Sequence, residues 1–241
     1  MKVAVVGRTK KAILGPLKKH GFTIVTRNPE LIISFGGDGT SLYAERVYSG
    51  IPRVLIRHSK TCNKCQTHDY EKIFHSLLTK NYKIIQELKI EGVVNNKGRK
   101  IKALNEIDVH NQVPHAARLQ LKINGKIVKE TVIGDGILVS TPHGSTGYFK
   151  SITRKEFNKG LGIAFNNSVT HDKPIIVDEN AKIEIKVIRG PALLVADNDH
   201  RMLVLKTNDS VTIRKSSETA KIIKLKEKGI KIERGNFVKL E

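Results

Sequence analysis

Along the first eighty residues, apolar runs alternate with segments whose apolar positions recur every three or four residues. The runs at 2–6 (KVAVV), 22–26, 31–35 (LIISF) and 53–57 are nearly uninterrupted, as in strands buried on both faces. Between them, 9–20 and 41–48 have helical spacing, and 69–79 sets Tyr70, Ile73, Phe74, Leu77 and Leu78 on one helical stripe. Strand and helix in alternation predict a parallel sheet of βαβ units.

After about Asn81 the period changes to two. Runs at 84–94 and 100–109 flank Asn95, Asn96, Lys97 and Gly98, and runs at 117–123 and 127–133 flank Asn124-Gly125, a hairpin signal. Further runs occupy 137–140, 161–165, 181–188, 192–196, 202–205 and 210–214. The expected fold is an α/β N-terminal domain with a parallel sheet, plus a mainly antiparallel all-β C-terminal domain. The expected boundaries are 1–82 and 83–217, with the tail 218–241 packing back on the first domain and a helix in the lysine-rich stretch from Lys221.

Composition narrows the partners. With 39% hydrophobic and 27% charged residues, the 241-residue chain has an ordinary globular balance. No apolar run approaches the roughly 20 residues that cross a bilayer, and Gly7 and Arg8 interrupt the N-terminus before a signal-like core forms. A cytoplasmic location with no membrane partner is expected. The formal charge of +20, from 43 Lys and Arg against 23 Asp and Glu, fits either an anionic partner or a solvated basic surface. Basic residues are spread along the chain and aromatics are only 5%, leaving few platforms for stacked bases, so nucleic acid is not expected as a partner. Cys62 and Cys65 form one CxxC flanked by His58 and His68, read as incidental thiols in preference to a metal or redox site.

The sharpest local feature is LIISFGGDGTSLYAER, an apolar strand running into Gly36, Gly37, Asp38, Gly39 and Thr40 and then into a helical pattern. Such a turn lets backbone N–H groups approach an anion, and the helix N-terminus adds a favourable dipole. A plain tight turn with a capping Asp or Thr is the competing reading. Asp38 weighs against it, because a carboxylate among phosphate-attracting groups must serve a function: accepting a proton from an attacking hydroxyl, or holding a metal on a nucleotide. A second feature, GDGILVSTPHGSTGYFKS from Gly134 to Ser151, ends a β run in hydroxyls and one carboxylate, Asp135, and suits a sugar-rich ligand. A third, ALNEIDVHN, sets Asn105 and Glu106 side by side in a strand, on opposite faces unless the backbone bends.

GGDGT, followed some 65 residues later by NE and then by DGILVSTPHGSTGY, resembles the ordered motif set of the NAD kinase family, and NNSVTHDKPIIV resembles that family's later segment. GGDGT alone is shared with diacylglycerol and sphingosine kinases; the third motif separates them. The resemblance implies phosphorylation of the adenosine ribose 2′-hydroxyl of NAD by ATP, or by polyphosphate in some members, to give NADP, with a divalent ion such as Mg²⁺. It implies a dinucleotide bound between the two domains, with Asp38 as the proton acceptor. Gly37, Gly39 and Thr40 would lie at the phosphates and substrate, and Asn105, Glu106, Asp135, His143, Thr146, Gly147, Tyr148 and Ser151 would contact the dinucleotide. No residue is assigned to a metal, and a homo-oligomer, dimer or tetramer, is expected. The chain departs from the family at His143 (usually Thr or Ser), at Gly147 (usually Ala) and in SITRKEFNKG, where the family has a glycine-rich SAGGP. Those departures raise the alternative of a non-catalytic or substrate-shifted nucleotide-binding homologue.

Overall fold

The computed structural model describes residues 1–58, 69–95 and 98–226; Cys62, Cys65 and His68 lie outside the described residues. The chain divides into two compact units, one of Met1–Gln86 with the chain from Ala220, the other Glu87–Thr219.

The first unit contains β1 (Lys2–Val6), α1 (Lys11–Lys19), β2 (Thr23–Ile24), β3 (Leu31–Gly36), α2 (Asp38–Val47), β4 (Arg53–Arg57) and α3 (Tyr70–Leu78). Its strands are parallel in the order β2-β1-β3-β4. Alternate strand residues face opposite sides, and both sides are covered. Val3, Val5, Leu31, Ile33, Phe35, Val54 and Ile56 pack with Ile13 and Leu17 of α1 and with Ile73, Phe74 and Leu77 of α3. On the other side Ala4, Val6 and Ile32 pack with Ala44 of α2. That double covering explains why these strands read as continuous apolar runs. Helix α3 begins at an Asp69 cap, whose Oδ1 accepts from the Lys72 N–H at 3.2 Å.

The chain continues through β5 (Tyr82–Val94), β6 (Lys100–Ala103), β7 (Glu106–Asn111), β8 (Ala117–Ile123), β9 (Lys126–Gly134), β10 (Gly136–Ser140), α4 (Tyr148–Thr153), β11 (Leu161–Asn166), β12 (Ile175–Val177), β13 (Ile183–Arg189), β14 (Ala192–Ala196), β15 (Leu203–Leu205) and β16 (Ser210–Leu225). The unit boundaries fall inside β5 and β16. The second unit is a β-sandwich. One layer is antiparallel in the order β12-β11-β10-β7-β14-β15; the other runs β16-β13-β8-β9, with the β5–β6 hairpin against β16. Ile107, Val109, Val139 and Ile163 of the first layer share one core with Leu119, Leu121, Ile185 and Ile213 of the second.

Three expectations change. The stretch from Lys221 begins as strand rather than helix, because β16 continues to Leu225 and Ile222 pairs in parallel with Arg53 of β4; beyond residue 226 the tail lies outside the described residues. The run at 100–109 breaks into β6 and β7 around Leu104 and Asn105. The polar turn after β10 contains a short helix, α4, which the sequence reading missed.

Candidate active site

In the first unit, β3 ends at Gly36 and α2 starts at Asp38, with extended Gly37 (φ −110°, ψ −168°) as the N-cap. Asp38 is therefore the first helical residue, half-buried, with its carboxylate on the positive end of the helix dipole. The Gly37 carbonyl accepts from the N–H groups of Thr40 and Ser41 at 3.0 and 3.2 Å, which closes the first turn. The loop stands at the carboxyl end of a central parallel strand, where open α/β sheets bind ligands. Beneath α2, the buried carboxylate of Glu45 pairs with the buried guanidinium of Arg53 on β4, tying helix to sheet.

In the second unit, Asp197 follows β14 in the left-handed region (φ 50°), a conformation that Asp tolerates better than most residues. Its carboxylate gathers three backbone donors. Oδ1 accepts from the N–H groups of Asn105 at 2.7 Å and Glu106 at 3.2 Å, and Oδ2 accepts from that of Leu104 at 2.9 Å. Those donors are unavailable to a strand ladder, which is why β6 and β7 separate there. The same bend is clamped from the other side by Thr141, whose hydroxyl donates to the Leu104 carbonyl at 2.6 Å and whose N–H donates to the Asn105 carbonyl at 2.8 Å. Gly144 N–H in turn donates to the Thr141 hydroxyl at 3.1 Å. An added Cβ on Gly144 would lie 2.6 Å from the Asn105 carbonyl carbon and 2.7 Å from its Cα. Gly144→Ala should therefore lower stability by about 1–3 kcal/mol through overpacking and displace Asn105; thermal melting and dinucleotide titration check both effects.

From this bend β7 carries Glu106, Asp108 and His110 on the face away from the sandwich core, because Ile107 and Val109 point into it. On the neighbouring strands, Asp108 is paired in register with Leu138 of β10 and Val195 of β14. Leu138 packs with Phe149 of α4 and Ala164 of β11. Tyr148, at the start of α4, accepts from the Asn166 side-chain amide at 2.8 Å. Burial raises its phenol pKa, and the negative charges of Asp108, Asp135 and Glu106 raise it further. Asp135 accepts from Asn167 Nδ2 at 2.6 Å and from Asn111 Nδ2 at 3.4 Å. Tyr148 and Ser151 line an open groove of about 870 Å³ with Arg154, Asn166, His171 and Lys173.

The fold thus brings Asn105, Glu106, Asp135, Gly147, Tyr148 and Ser151 into one unit, with Gly147 the residue before α4 and Asn105 Nδ2 3.9 Å from where its Cβ would be. Thr146 is half-buried in the same turn. His143 lies with Nδ1 3.8 Å from Glu87 Oε1. Gly37, Asp38, Gly39 and Thr40 belong to the other unit. Asp108 was not singled out in the sequence, although an acid between Ile107 and Val109 was its signal.

Asp108 is 8% exposed, and its Oδ1 has no hydrogen-bond partner among the described residues. Burial pushes its carboxyl up to about 7, against the opposing effect of His110. The folded protein then binds this proton more tightly than the unfolded chain, so the associated stability is complete below about pH 3.8 and is lost as pH rises to about 7. Asp108→Asn, which cannot ionise, should melt about 3 °C or more above the unsubstituted protein at pH 8, with the gap closing below pH 5. Melting curves at the two pH values measure it.

Comparisons with known proteins bear on the family and the fold. Residues 104–225 match the family described as the ATP-NAD kinase C-terminal domain. The chain is 27% identical over 212 residues to an NAD kinase of Natranaerobius thermophilus, covering 83% of this chain and 74% of that protein. Among solved structures it superposes on a yeast NADH kinase complexed with NADH, with a TM-score of 0.81 at 15% identity over 92% of this chain and 83% of that one. An NAD kinase from Archaeoglobus fulgidus in complex with ATP gives a TM-score of 0.79 at 23% identity, covering 93% and 94% of the two chains.

Proposed function

The chain belongs to the NAD kinase family, and from that premise we propose that it transfers the terminal phosphoryl group of ATP to the adenosine ribose 2′-hydroxyl of NAD, giving NADP. The observation that carries the reading is Asp38 as the first residue of α2, directly after the glycine turn that ends β3. A carboxylate there can accept the hydroxyl proton while the turn's backbone amides and the helix terminus receive phosphate oxygens. Gly37, Gly39 and Thr40 shape that turn. Phosphoryl transfer asks mainly for positioning and charge stabilisation from the protein.

Asn105 and Glu106, held by Asp197, present an amide and a carboxylate for the dinucleotide. Asp135 and Tyr148 stand beside them as ribose- and base-contacting groups, with His143, Thr146, Gly147 and Ser151 completing the binding surface. The divalent ion travels with the donor as its Mg²⁺ complex, neutralising phosphate charge. A homo-oligomer is in keeping with the exposed apolar residues Ile176 and Val204 on the edge strands β12 and β15. Among the described residues no helix is long and apolar enough to cross a membrane; the cytoplasm, where ATP and NAD are both supplied, is the proposed location.

Purified protein incubated with NAD or NADH, ATP or polyphosphate, and Mg²⁺ in all combinations tests the reading. NAD with ATP should yield NADP. Dinucleotide binding with no transfer from either donor would instead identify a non-catalytic homologue, and phosphorylation of diacylglycerol or a sphingoid base with NAD inert would identify a lipid kinase.

A further inference from the structure

An aspartate inside a strand usually faces water or a basic partner. Asp108 is 8% exposed, and its Oδ1 meets no donor among the described residues. Its neighbours in the sheet cannot satisfy it, because the residues paired with it, Leu138 of β10 and Val195 of β14, carry no polar side-chain atom. The groups that share its surroundings are Glu106 and His110 on β7 itself, Tyr148 of α4, and Asp135 before β10. Asp197, beyond β14, spends its carboxylate on the backbone of Leu104, Asn105 and Glu106. Burial disfavours a negative charge on Asp108, and His110 opposes that effect.

The position of Asp108 is as informative as its burial. Two residues from Glu106, it lies on the same face of β7, the face that does not enter the sandwich core. Its charge is felt at Tyr148, as are those of Glu106 and Asp135. A buried polar group without a partner is costly unless something satisfies it, and the residues around this one are those assigned above to the dinucleotide.

We propose that Asp108 is a specificity-determining contact for the dinucleotide, donating its carboxyl O–H to an acceptor atom of the nicotinamide nucleotide. The inference rests on the NAD-binding reading of the second unit and adds a contact and a pH dependence to it. The neutral acid is the binding form, and burial keeps it neutral up to about pH 7. Above that, binding must either bring the proton back or leave a buried charge facing an acceptor.

Calorimetric titration of NAD into the protein without ATP, from pH 6 to 8.5, tests this. For the unsubstituted protein the Kd should be level below pH 7 and then rise by up to about tenfold per pH unit, as for uptake of one proton. Asp108→Asn, which keeps an N–H donor and cannot ionise, should retain the low-pH affinity and flatten the profile. Asp108→Leu, similar in size but without a donor, should bind about tenfold or more weakly at every pH. A flat profile for the unsubstituted protein, the same slope in Asp108→Asn, or full affinity in Asp108→Leu would each overturn the assignment while leaving NAD binding intact. No NAD binding at any pH would instead remove the functional reading on which it rests. If the variants do not fold, infrared difference spectra of the unsubstituted protein decide. The carbonyl stretch of a protonated carboxyl should shift when NAD is added at pH 6, and an unmoved band counts against the contact.

Discussion

Asp38→Asn should form NADP at about one-hundredth of the unsubstituted rate or less, since a positioned general base contributes roughly two to four orders of magnitude. The substitution preserves size and removes only the basicity of the carboxylate. Its structural effect is bounded by the loss of one negative charge at a helix N-terminus, about 0.3–1 kcal/mol, so melting temperature and NAD affinity should change little. A fall in kcat with KM and stability nearly unchanged is the pattern of a group needed in the transition state. Steady-state kinetics with saturating Mg²⁺-ATP, alongside a melting curve, separates that pattern from unfolding. Undiminished NADP formation would remove the assignment.

The second large effect is expected at Asp197. Asp197 accepts from three successive backbone N–H groups, those of Leu104, Asn105 and Glu106, and the first two of these residues are buried. Asp197→Ala leaves those donors without their acceptor, at about 1–3 kcal/mol each where burial is complete. A loss of about 3 kcal/mol or more in unfolding free energy is expected, measured by denaturant titration. Because the same bonds set the bend that aims Asn105 and Glu106, the NAD Kd should also rise by about tenfold or more, a 1 Å misplacement being enough to matter. Asp197→Asn keeps one acceptor oxygen and should fall between the two. If Asp197→Ala binds NAD normally, the bend does not position the pair.

Where both faces of an element are covered, the sequence was easy to read. β1, β3 and β4 are apolar at consecutive positions because helices pack on both sides, and short length with β-branched content marks runs such as VAVV and LIIS as strand. The glycine turn at Gly36–Gly39 was legible as glycines between a plain strand and a helix.

What escaped depends on contacts distant in sequence. The break at Leu104 and Asn105 is imposed by a carboxylate 92 residues away from Asn105, and nothing within ALNEIDVHN announces it. The lysine-rich stretch from Lys221 reads as a helix until β4 offers it an open edge, where Ile222 pairs with Arg53. Helix α4 is six residues long with one buried side chain, Phe149, too short to show a period. Asp108 was passed over because strict alternation assigns its face to solvent, whereas it is 8% exposed. In the first unit, Asp38 was singled out by its chemistry, although the helix it begins was expected only from residue 41. A glycine N-cap and a polar first turn leave no hydrophobic mark.

The most direct test is the position of the phosphate in the product. The protein, NAD and Mg²⁺-ATP should yield a compound that an NADP-specific dehydrogenase reduces and whose phosphorus spectrum shows a new monoester on the adenosine ribose 2′-oxygen. A phosphate on any other atom, or unreacted NAD beside intact ATP, would contradict the role given to Asp38 and the reaction built on it.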